Sequence, residues 1–445
     1  MFIIYDLVFL IFAVLYFPLY FLRGKLNSGF LRRLGFLPAQ LNLDRPIWIH
    51  AVSVGEAIAV KGLLSQLRQA YPGKKLVIST VTATGNKIAQ GLVKEGDFLT
   101  YLPLDFSFIV RRLLKRINPC MFIIAETEIW PNLITCLDKL QVPVVTVNGR
   151  ISDSSYGGYQ LIKFFIRPIL RMVKQFCVQS DLDALRLENL GVDKQRIQVT
   201  GNVKFDINLD PCSELDVLTY RSKLGLGQAD KLLVCGSTHP GEEELIFAAY
   251  LELLPAFPEL KLLIAPRHPE RGEKISGLAA DKGFTPVLIS SISGACPVRG
   301  RTPKVSDGCL RQPASNGAGP TCVQRAVFIL DTIGELINYY SAADIVFVGG
   351  SMVKRGGHNI LEPASLMKPI IFGPHMFNFR DISELFLAHQ AALVASDSRE
   401  LAHKVKEILN NNLLAKGLVQ RAYELIIKNR GATRKNIEII KQLGQ

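Results

Sequence analysis

A chain of 445 residues exceeds what one hydrophobic core organises, so two domains are expected. With 48% apolar residues and a mean hydropathy of +0.22 it can fill sizeable cores, which excludes an intrinsically disordered chain. The formal charge of +13 points to an anionic partner; nucleic acid and anionic lipid headgroups both qualify, and charge alone does not choose between them.

The first 22 residues, MFIIYDLVFLIFAVLYFPLYFL, carry one charge, at Asp6. As a helix they would extend about 33 Å, enough for a hydrocarbon core of roughly 30 Å. No small-residue cleavage site follows, and Arg23, Lys25, Arg32 and Arg33 come after the apolar run rather than before it, which argues against a signal peptide. The positive-inside rule then leaves the body on the cytoplasmic side. Asp6 and Pro18 interrupt a strict span, so spanning and interfacial anchors both stay open.

Residues 23–208 alternate helical patterns with short apolar runs: PIWIHAV, KLVISTVT, FLTYLPL, CMFIIAE, VPVVTVNG, QFCVQS and RIQVTGN. Within this half, IKFFIRPILRMVK sets Lys163, Arg167, Arg171 and Lys174 at helical spacing beside Phe164, Phe165, Ile169 and Leu170. A basic amphipathic helix resting on a membrane and an ordinary helix with a solvated face both fit, and Pro168 opposes a straight helix of either kind. INLDPCSELD, 207–216, is the expected linker. Residues 209–445 repeat the pattern with KLLVCGST, LKLLIAPRH, TPVLIS, AVFILDT, DIVFVGG, KPIIFGP and AALVAS. Continuous apolar runs mark parallel strands covered on both faces, so the expected class is α/β, with two doubly wound, Rossmann-like domains meeting at a cleft. Residues 291–325, rich in Gly and Pro, read as a mobile surface insertion. The eight cysteines show no Cys-x-x-Cys spacing, so no zinc site is expected and a reducing compartment fits.

Four stretches carry candidate chemistry. In HAVSVGEAIAV, Glu56 stands between a strand and a helix; it either complements the helix dipole or faces the crevice at the strand's carboxyl end. GSTHPGEEELI opens a helix, with Thr238 as an expected cap, Pro240 at the first helical position, and Glu242 and Glu243 in the first turn. Free amides at such an end bind phosphate, whereas His239 and Glu243 have no third ligand and suggest no metal. LIAPRHPER sets Arg267 and His268 at a strand end, as solvated loop residues or as donors to an anion. The cluster at 344–374 has Gly349, Gly350, Gly356 and Gly357 followed by His358, Asn359 and Glu362 at a helix start. Asn359 can cap that helix, and Glu362 can accept the two hydroxyls of a ribose.

Together HAVSVGE, AETEIWPN (125–132), NGRIS (148–152), GNVKFD (201–206), GSTHPGEEE, APRHPER, DTIGEL (331–336) and GGHNILEPA resemble the 3-deoxy-D-manno-octulosonic acid (Kdo) transferases of lipopolysaccharide assembly. The eight motifs follow one order across nearly the whole chain, and the 291–325 segment departs from the compact family pattern. The resemblance implies a GT-B glycosyltransferase with a membrane anchor at 1–22, an acceptor domain at 23–208 and a donor domain at 209–445. It implies CMP-Kdo as donor, a lipid A precursor (lipid IVA) as acceptor, inversion at the anomeric carbon, and neither metal nor cofactor. Glu56 matches the family's catalytic base. Arg267, His268, Ile333, Gly334, Glu335, Asn359, Ile360, Leu361 and Glu362 match its CMP site. Glu126, Glu128, Asn148, Arg150, Lys204, Thr238 and His239 are assigned to Kdo and acceptor, although Glu126 and Glu128 fit equally as structural partners of nearby arginines.

The expected setting is the inner membrane, with the body on the cytoplasmic face and the basic charge against an anionic leaflet. Another GT-B nucleotide-sugar enzyme, such as a UDP-sugar transferase or epimerase, would share the fold but leave HAVSVGE and AETEIWPN unexplained. A basic nucleic-acid-binding protein is the remaining reading; the sequence holds no recognisable nucleic-acid module, so no such partner is expected.

Overall fold

The structure, a computed structural model, describes residues 29–292 and 325–444 apart from 39, 53 and 208–212, together with 5–7, 9–11 and 14–15. The chain forms two units, Met1–Asp206 with Asn429–Gln445, and Ile207–Lys428.

The first unit is built on seven parallel strands: β1 (Ile47–His50), β2 (Leu76–Thr80), β3 (Phe98–Tyr101), β4 (Met121–Ala125), β5 (Val144–Gly149), β6 (Gln175–Val178) and β7 (Ile197–Val199). Their order is β3-β2-β1-β4-β5-β6-β7. Successive side chains of a strand point to opposite faces, and here both faces are buried. Trp48 and Phe122 enter one core, their rings edge to face at 4.8 Å, while Ile47, Ile49, Met121 and Ile123 enter the other. This double burial is why IWIH and MFIIA are apolar throughout.

The second unit repeats the plan with β8 (Lys231–Thr238), β9 (Leu260–Pro266), β10 (Thr285–Leu288), β11 (Ala326–Ile329), β12 (Ile345–Val348), β13 (Ile370–Phe372) and β14 (Leu393–Val394), ordered β10-β11-β9-β8-β12-β13-β14. All fourteen apolar runs singled out in the sequence are strands, and the expected α/β, doubly wound class is borne out in each unit.

The carboxy-terminal boundary differs from the expected one. Residues 429–445, grouped by sequence with the second domain, pack with the first unit. Ile437, Ile439 and Ile440 of the helix Ala432–Leu443 enter the core that holds Ile47 and Ile49. Asp206 fastens that helix: its carboxylate accepts the N–H groups of Gly431 at 2.6 Å and Thr433 at 2.5 Å. A side-chain acceptor at a helix amino end is worth about 1 kcal/mol, and this one joins positions 225 and 227 residues apart.

Among the described residues no helix is long and apolar enough to cross a membrane. Most of the expected anchor at 1–22, residues 208–212 of the expected linker and 293–324 of the expected insertion lie outside the described residues. The described amino-terminal residues are helical, and Asp6 is held by protein donors. It accepts Ser107 N–H at 3.0 Å, the Ser107 hydroxyl at 2.5 Å and Asn132 Nδ2 at 2.7 Å. Tyr5 stacks on Phe165 and Phe9 meets Phe106 edge-on, so this face of the segment packs on the body and supplies the carboxylate with partners that a bilayer interior lacks.

Candidate active site

In the first unit the strand order reverses at β1, with β2 and β3 to one side and β4–β7 to the other. The crevice at the carboxyl ends of β1 and β4 is therefore the switch point, where open α/β sheets take ligands. From β1 the chain passes through Ala51 and Val52 into the helix Val54–Ala59, with Glu56 in its first turn. Glu56 Oε2 accepts the Val52 N–H at 2.6 Å, and the residue is 9% exposed. The carboxylate thus satisfies an amide just ahead of the helix whose dipole it complements, and it does so beside the switch point.

From β4 come Glu126, whose backbone is left-handed at φ 61°, and Glu128. Glu128 Oε2 accepts Trp130 Nε1–H at 2.9 Å and lies 3.5 Å from Nε2 of His50, the fully buried last residue of β1. The Trp48 indole donates to Ser79 Oγ at 2.8 Å, and His50 Nδ1 lies 3.0 Å from that hydroxyl and 3.1 Å from the Ser79 carbonyl, which can only accept. The carbonyl contact places the ring proton of a neutral His50 on Nδ1, so Nε2 faces Glu128 at 3.5 Å without a hydrogen bond. Among the described residues the contacts of Glu128 are a tryptophan and a histidine rather than an arginine.

The other expected residues of this unit tie its motifs together. Asn148, buried with φ 54°, accepts the Val203 N–H on Oδ1 at 3.0 Å, and its carbonyl accepts Gln179 Nε2 at 3.0 Å. The Arg150 N–H donates to Thr127 Oγ1 at 2.9 Å, and the Lys204 N–H to Asn202 Oδ1 at 3.0 Å. AETEIWPN, NGRIS and GNVKFD are thus bonded to one another or turned back on themselves along the carboxyl edge of the sheet.

In the second unit the order reverses at β8, so the switch point lies between the ends of β8 and β12. The structure corrects the expected capping here. The cap of the helix Glu242–Leu253 is Gly241 at φ 95°, and Pro240 precedes the helix. The buried Thr238 hydroxyl donates instead to Glu243 Oε1 at 2.9 Å. Glu243 also takes both arms of the Arg271 guanidinium, at 2.8 and 3.1 Å. Glu242, wholly buried, accepts four backbone N–H groups: His239 at 2.9 Å, Gly350 at 2.7 Å, Ser351 at 3.0 Å and Met352 at 2.9 Å. Burial raises its pKa, against the pull of those four bonds. One carboxylate therefore fixes the end of β8 to the loop leaving β12.

That fixing brings His239 and His358 together, with Nε2 atoms 3.0 Å apart and rings parallel to within 5°. A Cβ on Gly350, itself at φ 67°, would stand 2.9 Å from the His358 ring, so glycine is required there. His268 lies edge-on to His239 at 6.2 Å. Burial pushes the His358 pKa down to about 4, aided by His239, Arg267 and His268; His239 is lowered as well, first by burial and then by Arg355. Both rings are neutral at pH 7, one donating to the other.

Arg267 is exposed and is placed by its N–H on the Thr238 carbonyl at 3.0 Å. Asn359, one residue before the cap position Ile360, accepts the Leu361 N–H on Oδ1 at 3.1 Å, while its Nδ2 donates to Glu362 Oε1 at 3.1 Å. Burial raises the Glu362 pKa, against that bond and the Arg267 charge. Ile360 and Leu361 are buried at the start of the helix Leu361–Ser365, so their backbones rather than their side chains are offered. Ile333, 77% exposed, and Gly334, at φ 92°, lie on the loop after β11, where Glu335 accepts the Thr332 hydroxyl.

A curated relative from Haemophilus influenzae, a 3-deoxy-D-manno-octulosonic acid transferase, is 34% identical over 89% of this chain and 86% of its own. The chain belongs to that transferase family. The family model described as 3-deoxy-D-manno-octulosonic-acid transferase matches residues 28–207, and a transferase of the same name from Chlamydophila psittaci is 34% identical over 83% of this chain and 78% of its own. In fold the chain is similar to a glycosyltransferase from Rickettsia africae, with a TM-score of 0.55 at 16% identity over 90% of this chain and 98% of that one. Membership of that family makes the chain a glycosyltransferase. Sequence reasoning gave no role to His50, Ser79, Arg271 or the four-fold bonding of Glu242. For His50 a signal existed, a lone imidazole in an otherwise apolar strand; for Arg271 and Glu242 the partners are set by the turn after β8 and left no local mark.

Proposed function

We propose that the chain transfers Kdo from CMP-Kdo to a lipid A precursor, lipid IVA, with inversion and without a metal. The first unit takes the acceptor and the second the donor. The observation that carries this is Glu56, an acceptor-only side chain beside the switch point of the first sheet, on the turn that matches the family's base. Glu56 removes the proton of the acceptor hydroxyl as that oxygen attacks the anomeric carbon of Kdo, and the bond to the CMP phosphate breaks. Arg267 and His268, both exposed at the end of β9, supply donors for the phosphate charge, so departure needs no added cation. Asn359 and Glu362, bonded to each other, present their remaining acceptors to the nucleotide ribose. Glu126, Glu128, Arg150 and Lys204 are proposed to contact Kdo and acceptor, while the buried Asn148 and Thr238 shape the backbone beneath them.

An acceptor that stays in a bilayer calls for an enzyme at that surface. The apolar residues 1–22 and the charge of +13 support an inner-membrane setting with the body on the cytoplasmic side. The test is mass spectrometry of products formed by the purified chain from tetra-acylated lipid A precursor and freshly generated CMP-Kdo. A mass increase of one or more Kdo units, absent with Glu56→Gln, is expected. Transfer by Glu56→Gln at the wild-type rate removes the base assignment, and thermal protection by UDP but not CMP moves the donor to the UDP-sugars.

A further inference from the structure

A second basic site lies in the first unit and is lined by none of the residues assigned to donor, acceptor or catalysis. A cavity of about 470 Å³ is lined by Arg167, Arg171 and Arg196, with Gly191, Glu188 and Asp193 on its walls. Among the described residues neither carboxylate forms an ion pair with these arginines. Backbone carbonyls orient two of them instead: Arg171 Nε–H donates to Gly191 O at 3.4 Å, and Arg196 donates to the carbonyls of Arg171 and, at 3.5 Å, Val173. Gly191, at φ 98° after the helix Asp181–Leu190, leaves the room that Arg167 uses; a Cβ there would stand 2.5 Å from Arg167 Nε. Three guanidiniums are thus gathered around one hollow with most of their donors unspent, an arrangement whose mutual repulsion an anion would relieve.

The same stretch of chain bears exposed apolar side chains. Leu161, closing the helix Asp153–Leu161, is 85% exposed, and Phe164, in the first turn of the helix Lys163–Leu170, is 83% exposed. Ile166, Ile169 and Leu170 of the latter helix are buried, so its inner face is already satisfied by the core while Phe164 is not. Apolar tips beside clustered cations match the boundary between acyl chains and anionic headgroups.

We infer that this arginine cavity holds the phosphate of an anionic lipid headgroup, of the phosphomonoester kind, while Leu161 and Phe164 enter the acyl boundary. The forked guanidiniums favour the doubly ionisable phosphomonoester, with its three terminal oxygens, over a phosphodiester. No residue of the cavity belongs to the transfer chemistry, so failure of this inference leaves the assignment of Glu56 standing. The test is partition of the full chain onto phosphatidylcholine vesicles carrying equal fractions of either phosphatidic acid or phosphatidylglycerol, alongside calorimetric binding of inorganic phosphate. Wild type is expected to prefer phosphatidic acid. The triple variant R167Q/R171Q/R196Q should bind phosphatidic acid vesicles roughly a hundredfold more weakly, and R167Q alone, should the triple variant not fold, about fivefold. L161S/F164S should weaken vesicle binding yet keep inorganic phosphate binding. Equal loss from both vesicle types, or none, overturns the site. Loss of phosphate binding with vesicle binding intact overturns the lipid assignment in favour of free phosphate.

Discussion

Each unit is a seven-stranded parallel sheet whose order reverses at its first strand, and the two differ in what stands there. Beside β1 and β4 the first unit sets Glu56 and Glu128, with the His50 ring aimed at the latter; beside β8 and β12 the second sets His239 and His358, with Arg267 and His268 on the neighbouring strand end. One crevice offers groups that accept protons and the other groups that donate to anions. The backbone plan therefore supplies a place, and the few residues following the first strand of each sheet supply the chemistry. The supports differ too. The first crevice is knit by motif-to-motif bonds through Asn148 and Thr127, whereas the second is tied by two buried carboxylates, Glu242 on four amides and Glu243 on Thr238 and Arg271.

This contrast can be broken in descending order of effect. Glu56→Gln should lower turnover by roughly a thousandfold while leaving CMP affinity, measured by calorimetry, unchanged; a matched loss of CMP affinity would erase the division of labour. Glu242→Gln puts an amide donor where four N–H groups converge, and should destabilise the chain by about 2–3 kcal/mol in urea unfolding. A shift within experimental error would mean that the loop after β12 stands without it. Arg267→Ala should raise the KM for CMP-Kdo about tenfold or more and leave that for the lipid acceptor alone; equal rises in steady-state kinetics would contradict the assignment.

The smallest effect is one of pH, and it has opposite signs in the two units. His358 is depressed from 6.5 to about 4, so the unfolded chain takes up its proton first and stability is lost as pH falls across that window. Asp105 of the first unit is pushed up to about 7 by burial, which outweighs the N–H bonds it accepts from Asn132 and Leu133. Its folded form takes up the proton first, and stability is gained as pH falls from about 7 toward 3.8. His358→Gln should therefore flatten the acid loss, by about 1–2 kcal/mol across the window, and Asp105→Asn should remove the gain. Urea midpoints followed across this pH range would show both, and identical slopes in the two variants would refute the assignment of signs.

Much of this was legible beforehand because parallel strands buried on two faces must be apolar at every position, a property that needs no partner to be read. The glycine-rich turns after the strands were legible for the same reason: a left-handed backbone such as that of Gly350 restricts the residue locally. Thr238 was misread as a helix cap because a hydroxyl before a helix has the same local pattern whether it meets an amide or, as here, a carboxylate one turn onward. Residues 429–445 were assigned to the wrong half because an amphipathic helix announces that it has an inner face and not which core receives it.

Burial periodicity, turn chemistry and the eight motifs are properties of neighbours along the chain, and they were enough to establish two parallel sheets, the family and the residues at the strand ends. Which crevice each motif lines, which proton His50 carries and which core the last helix enters depend on groups brought together from far apart along the chain, as Asp206 and Gly431 are across 225 residues. Such pairings are selected by the packing of the whole core, since a hydrogen bond or an apolar face is satisfied equally well by many partners and only their placement in space decides among them.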